Sequence, residues 1–384
     1  MVPAALPSPA SPAAREGDGA VAAASQAVPH FLGHGQALIQ PYGSGNVNAT
    51  FLVTPLAGQG ELLILQRLNP RVFPQPELVM HNLRQLTVHL QTQQDSLAPP
   101  AGRRWQLPQL LPTTRGEDCW QDEEGAIWRA LTYIPATFSL DSVQEESQAW
   151  EVGYALGRFH RLVGELPPAS LADTLPGFHV TPHYLAAYDA VVARSTPPPL
   201  PEVTYAQAFI QQRRAEVGIL EEAKQQGRLA LRVTHGDPKV NNVLLDVVTG
   251  QAVGLVDLDT VKPGLLQTDL GDCLRSVANP LGEETSAWDQ VHFDLRLGRA
   301  FWDGYRSQAS PLLTPADYTY GYASLRLIAF ELGLRFFTDF LAGNVYFRCR
   351  HPQQNLWRAM VQFTLTASIE AQEEDIRRLF GASP

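Results

Sequence analysis

The apolar pattern of this chain changes period at Pro135, and that change restricts the fold more than any other feature. Before it, apolar residues fall in short β-like runs at 37–42, 50–54, 61–67, 105–111 and 126–134. These runs flank one helical segment, 76–91, where Leu78, Val79, Leu83, Leu86 and Leu90 recur at helical spacing behind Pro74 and Pro76. Beyond Pro135 the pattern is helical. Over 144–163, Trp150, Val152, Leu156, Phe159 and Leu162 trace one face, and 204–225, 286–307, 315–342 and 354–379 continue in the same manner. The interruption is 231–259, in which β-like runs at 242–247 and 252–258 are joined by the turn signal Thr249-Gly250.

A sheet-rich part followed by a helix-rich part predicts an α+β chain, and 384 residues at 45% apolar content supply material for two cores. The Ala-, Pro- and Ser-rich stretch 1–28 predicts a disordered leader, because it offers too little apolar surface to offset the entropy of ordering. The expected organisation is a leader over 1–28, a sheet lobe over 29–134 and a helical lobe over 135–384. No internal repeat is visible.

A net charge of −10 and a pI near 5.5 argue against nucleic acid as a partner, since no basic stripe exists to neutralise phosphates. Cys119, Cys273 and Cys349 are odd in number and far apart, so neither a disulfide framework nor a cysteine zinc site is expected, which suits a reducing cytoplasm. No apolar run approaches the roughly 20 residues that span a bilayer, and the N-terminus lacks the pattern of a signal peptide. The expectation is a cytoplasmic protein, monomeric by default, without a membrane partner. Its cations are almost all arginine, the lysines being Lys224, Lys239 and Lys262.

The interruption carries the chemistry. It reads Thr234-His235-Gly236-Asp237-Pro238-Lys239-Val240-Asn241-Asn242, and then, across the turn, Gly254-Leu255-Val256-Asp257-Leu258-Asp259. A carboxylate, an amide five positions on and a second carboxylate on the far strand are the parts that phosphoryl transfer requires, since there a protein chiefly positions groups and neutralises charge. Asp237 is placed to accept a hydroxyl proton, Asn242 and Asp257 to offer hard oxygens to Mg²⁺, and Lys239 to reach the γ-phosphate of ATP. The turn Gly43-Ser44-Gly45 lets backbone N–H groups approach phosphates, and Tyr133 and Ile134 stand where strand pattern yields to helix pattern, a place to meet adenine. Phe178 and His179, beside His183 and Tyr184, are candidates to line an acceptor pocket. The aromatics Trp302, Tyr305, Tyr318, Tyr320 and Tyr322 read as helix packing.

The motif H-G-D-x-x-x-x-N followed by V-D-x-D resembles that of the aminoglycoside phosphotransferase and choline kinase superfamily, relatives of the protein kinases. The resemblance implies a protein-kinase-like bilobal fold, with a small antiparallel sheet in the N-lobe and a mostly helical C-lobe. It also implies Asp237 as catalytic base, Asn242 and Asp257 as metal ligands with Asp259 assisting, His235 as a hydrogen-bonding brace, and Asp269-Leu270-Gly271-Asp272 as a turn bracing the catalytic hairpin. The segments 42–48, 256–264 and 333–339 are similar to the N-acetylhexosamine 1-kinase branch. By that likeness the acceptor is the anomeric hydroxyl of an amino sugar or hexose, and Arg335 grips sugar hydroxyls.

One departure stands out. Kinase-like folds hold ATP phosphates with a lysine on the third strand, and here that run is Leu63-Ile64-Leu65-Gln66-Arg67, with no lysine before Lys224. Either Arg67 substitutes, or the glycine turn, Lys239 and Mg²⁺ hold the nucleotide. Two other readings remain open at this point. One is the same fold phosphorylating choline, an aminoglycoside or an amino alcohol, and the other is an inactive pseudokinase serving as a binding scaffold.

Overall fold

The structure is a computed structural model that describes residues 12–33, 36–43, 47–56, 60–93 and 99–381. The chain separates into two compact units, Met1–Met80 with Pro108–Tyr133, and His81–Leu107 with Ile134–Pro384. The segment 81–107 therefore groups with the helical unit, where the apolar pattern had placed it in the sheet lobe.

The first unit is an antiparallel sheet. Strands β1 (Ala37–Pro41), β2 (Ala49–Pro55), β3 (Leu63–Arg67), β4 (Leu110–Leu111), β5 (Trp120–Gln121) and β6 (Ile127–Thr132) pair in the order β1-β2-β3-β6-β4, with β5 also on β6. Alternation sends Phe51, Val53, Leu63, Leu65, Trp128 and Ala130 to one face, because successive strand residues point to opposite sides. A helix covers that face: α1 (Pro12–Ala27) buries Ala24 and Ala27 against it, and the short α2 (Pro29–Leu32) follows. The disorder expected over 1–28 thus gives way to helix from residue 12 onward, since the alanines that looked like low complexity supply a small apolar stripe that the sheet can accept. Residues 1–11 lie outside the described residues. Of the expected run 105–111 only Leu110–Leu111 is strand, while β5 answers to no expected run. Helix α3 (Pro76–Gln93) begins in this unit and ends in the next.

In the second unit, α4 (Glu146–Val163), α5 (Thr181–Val192), α6 (Pro201–Arg213), α7 (Ile219–Gln225), α8 (Leu266–Val277), α9 (Leu295–Ala309), α10 (Pro315–Leu341), α11 (Gln354–Ala371) and α12 (Glu373–Gly381) surround short strands. The helices expected at 204–225 and 354–379 each divide in two, and the one expected at 286–307 starts only at Leu295, where Asp294 caps it by accepting from the amides of Arg296 and Leu297. An aromatic core joins α6, α10 and α11 through Phe209, Phe330, Phe337 and Phe363.

Helices α4 and α9 cross in backbone contact. A Cβ on Gly157 would lie 2.4 Å from the carbonyl oxygen of Tyr305, and one on Gly304 would lie 2.0 Å from that of Trp150, so only glycine permits the approach. The crossing brings His160 of α4 beside Tyr305 of α9. The strands complete the support: β8 (Leu231–Thr234) pairs with β11 (Lys262–Leu265), and β9 (Val243–Asp246) pairs with both β10 (Ala252–Leu255) and β7 (Thr137–Phe138).

Candidate active site

The turn after β8 is gripped through its backbone. Buried Asp269 of α8 accepts from the amides of His235 (2.6 Å) and Gly236 (2.9 Å) and from His160 Nε2 (2.9 Å), while His160 Nδ1 meets the Tyr305 hydroxyl at 2.9 Å. Burial alone would raise the Asp269 carboxyl, yet these donors together hold it below the ordinary value. Gly236 has φ of 88°, and a Cβ there would lie 2.6 Å from the Thr260 carbonyl oxygen, so no other residue fits. His235 accepts at Nδ1 from the Asp237 amide (3.3 Å) and donates from Nε2 to the Val256 carbonyl (3.0 Å), which assigns its tautomer. Burial lowers its pKa, keeping it neutral.

So held, Asp237, Asn242 and Lys239 converge. Asn242, in the 3-10 turn Val240–Asn242, donates from Nδ2 to the Asp237 carbonyl (2.7 Å) and more weakly to Asp237 Oδ2 (3.4 Å). Lys239 Nζ lies 2.9 Å from the same Oδ2. Burial would raise the Asp237 carboxyl, but Lys239, with Arg275 adding to it, pulls it below the ordinary carboxylate range. Lys239 is correspondingly raised: the carboxylates of Asp237, Glu283 and Asp257 outweigh its desolvation. Asp257 is exposed and sits at φ of 63°, a left-handed conformation for a residue with a side chain, where β10 gives way to the turn Leu258–Thr260. The backbone ties it to Asn242, because the amide of Val256 donates to the Asn242 carbonyl (2.9 Å). Asp259 is 2% exposed, and its carbonyl accepts from the Thr174 hydroxyl (3.5 Å).

The donor chemistry fits a hard cation such as Mg²⁺. The Asn242 amide nitrogen is spent on Asp237, so its Oδ1 is the oxygen left for an ion, and Asp257 adds a carboxylate. Among the described residues no group of three His, Cys, Asp or Glu side chains is arranged to hold a metal. The candidate set is thus two or three oxygen ligands, a number that suits an ion retaining waters and phosphate oxygens.

The expected acceptor residues form one cluster. The Arg335 guanidinium stands 5.2 Å from the Phe178 ring, 4.9 Å from Tyr184 and 5.5 Å from Phe347. His179 does not extend its ring nitrogens into open space. Nδ1 faces Glu331 Oε1 at 2.8 Å and Nε2 faces the Gly236 carbonyl at 2.9 Å. Glu331 escaped the sequence reading, although a lone carboxylate among Leu327, Ile328, Phe330 and Leu334 on an otherwise apolar helix face was a signal of a buried partner.

In the first unit, Gly43 has φ of 75°, while Ser44 and Gly45 lie outside the described residues. Tyr133, the last residue of that unit, packs its ring edge-on at 6.0 Å from Tyr42, and the Ile134 carbonyl, the first of the second unit, accepts from the Thr137 hydroxyl (2.9 Å). Arg67 shares the alternation of Leu63 and Leu65 and lies 6.0 Å from the Trp128 ring, at the rim of the face that α1 covers. The opposite face carries Leu52, Ile64 and Leu131 with a different cation, Arg129, whose Nε and Nη2 donate to Gln66 Oε1 at 3.1 and 2.7 Å. Sequence reasoning missed Arg129. Nothing local marked it in the sequence, because its pairing with Gln66, the strand residue next to Arg67, exists only through the β3–β6 register.

A model of the phosphotransferase enzyme family (APH) matches residues 38–307. The chain belongs to that family. It is therefore a phosphotransferase that delivers phosphate to a hydroxyl group, with a protein-kinase-like α+β fold. Solved structures share the fold. A microcompartment-associated aminopropanol kinase is 17% identical, with 94% of this chain and 99% of that one covered and a TM-score of 0.59. An aminoglycoside phosphotransferase from Alicyclobacillus acidocaldarius is 14% identical over 92% and 96%, also at 0.59. An amicoumacin kinase, solved with AMP-PNP and Ca²⁺, is 14% identical over 96% of each chain at 0.55. Among the described residues of this phosphotransferase no helix is long and apolar enough to cross a membrane.

Proposed function

We propose that this phosphotransferase moves the γ-phosphoryl group of ATP to a sugar hydroxyl, the anomeric hydroxyl of an N-acetylhexosamine or related hexose being the best candidate. The observation that carries the reading is the occupant of the aromatic cage. Phe178, Tyr184 and Phe347 form the kind of surface that would receive a quaternary or primary ammonium, but the guanidinium of Arg335 already stands against all three rings. A cationic acceptor would meet a like charge there. A neutral, polyhydroxylated acceptor would meet a fork of N–H donors and aromatic faces.

In this reading Asp237 Oδ2 is steadied by Lys239 and Asn242, and Oδ1 takes the acceptor's proton. The hydroxyl oxygen forms its bond to the γ-phosphorus as the bond from that phosphorus to the β-bridging oxygen breaks, releasing ADP. An anomeric hydroxyl is more acidic than an ordinary alcohol, so a carboxylate base suffices. Asn242 Oδ1 and Asp257, with Asp259, would hold Mg²⁺, which when bound neutralises charge on the phosphate oxygens. Lys239 serves the γ-phosphate.

On the nucleotide side, the turn at Gly43, Ser44 and Gly45 approaches phosphates through its backbone, and Tyr133 and Ile134 offer main-chain groups to adenine. Strand alternation favours Arg129 over Arg67 as the strand-borne cation for the phosphates, because Arg67 lies on the α1-covered side of the sheet. The free thiols Cys119, Cys273 and Cys349 support a reducing, cytoplasmic setting, with a monomer as the working state.

The names of the structural neighbours favour a second reading, with an amino alcohol or aminoglycoside as acceptor. Acceptor-dependent ADP release, measured across N-acetylhexosamines, hexoses, choline, aminopropanol and aminoglycosides, separates the two, with ³¹P NMR of the product. A sugar 1-phosphate is expected. Turnover of the amines with none of the sugars would end the sugar reading.

A further inference from the structure

The catalytic turn is held on its N–H side by Asp269, and its carbonyl side is held as well. The Gly236 carbonyl accepts from His179 Nε2 at 2.9 Å, one peptide before Asp237. The other ring nitrogen, Nδ1, meets Glu331 Oε1 at 2.8 Å, and Glu331 Oε2 accepts from the Thr181 hydroxyl at 2.7 Å. Neither a carboxylate nor a carbonyl donates, so an imidazole with one at each nitrogen satisfies both contacts only by carrying two protons. The backbone is bent to achieve this: His179 has φ of 59°, behind Gly177 at 81°.

We propose that His179 is a positioning residue for the transfer step: as a doubly donating imidazolium it fastens the Gly236 carbonyl to Glu331 and so sets the aim of Asp237. Glu331 and Arg335 lie one helical turn apart on α10, so the helix that presents the acceptor-side guanidinium also anchors the base. His179 acts through the turn and takes no part in proton transfer. The inference deepens the phosphotransfer reading and rests on it only where Asp237 is the base.

The groups around the imidazole agree. Glu331 faces it from α10, where Arg335 stands against Glu331, and Asp272 with its partner Arg275 faces it from α8, while Tyr184 of α5 bonds the His179 backbone. Burial by itself would depress the imidazole, but the Glu331 carboxylate, helped by Asp272 and the Gly236 carbonyl, leaves its pKa above the ordinary 6.5. Because the protonated form does the holding, the contribution is complete below that value and disappears as pH rises through the raised pKa.

The test uses the full chain with ¹⁵N-labelled histidine. Below pH 6.5 both ring nitrogens of His179 should be protonated, and a singly protonated ring there would overturn the proposal without reference to any substrate. Kinetics provide the second arm, as ADP release from MgATP with N-acetylglucosamine and with water alone. His179→Gln should lower kcat about 10- to 100-fold with little change in KM for ATP, and should flatten the alkaline limb of the pH profile. Glu331→Gln should move that limb to lower pH while sparing kcat in acid. A folded His179→Gln with wild-type kcat and pH profile overturns the inference. Asp237→Asn, run beside it, keeps the two ideas apart: ADP release surviving that change refutes the base assignment, and the ring-nitrogen result still decides His179.

Discussion

The turn at Asp237 and the sheet of the first unit assemble their charges in opposite ways. In the turn, Asp237, Lys239 and Asn242 lie within six consecutive residues, and local backbone geometry brings them together. In the sheet, the cation Arg129 is held by Gln66, 63 positions away, through a register that pairs β3 with β6. A turn can be read as a motif because its contacts are local. A sheet face cannot, since a slip of one residue would exchange Arg129 for Trp128 and move every charge to the other side.

The largest expected effect falls on the turn. Asp237→Asn should reduce acceptor-dependent ADP release by about 10²- to 10⁴-fold with the circular dichroism unchanged, and a smaller loss would mean that proton acceptance lies elsewhere. Next comes the grip behind it. Asp269→Asn leaves two backbone amides and His160 facing an amide group and should destabilise the protein by about 3–5 kcal/mol, read from urea unfolding. Retention of full stability would show that the turn folds without α8.

The sheet half of the comparison is tested by a pair of variants. Arg129→Ala should lower kcat/KM for ATP by about 10- to 100-fold, the scale of a charge-assisted hydrogen bond, whereas Arg67→Ala should stay within about twofold. The reverse result would restore Arg67 and break the alternation argument. The smallest effect is a shift in pH dependence. With Asp237 as the proposed base, activity should require its ionised form and fall as pH drops through its depressed pKa, so Lys239→Met, which removes the main charge holding that pKa down, should move the acid limb of kcat/KM upward. A stationary limb would separate Lys239 from the base.

Legibility followed the range of the contacts. The grouping of Asp237, Lys239 and Asn242 was readable because a loop and a 3-10 turn keep near neighbours near, and the long helices α4 and α10 were readable because 3.6-residue periodicity is a local property. Helix α1 was misread as a leader because small alanines carry little pattern until the sheet face that receives them exists. Helix α5 passed unnoticed, and α8 was read only as a turn at 269–272: its Asp269, Asp272 and Arg275 recur at helical spacing, but they face buried partners rather than water, so no solvated face marks the period.

By itself, then, the amino-acid order determined the chemistry of the turn and the succession of strand and helix, since both depend on groups a few residues apart. Tertiary structure decided which cation faces away from α1, which carboxylate holds His179 and that Arg335 fills the aromatic cage. Those outcomes depend on strand register and on helices distant in the chain, and burial makes them energetically decisive, because a charge removed from water must find its partner wherever the fold has placed one.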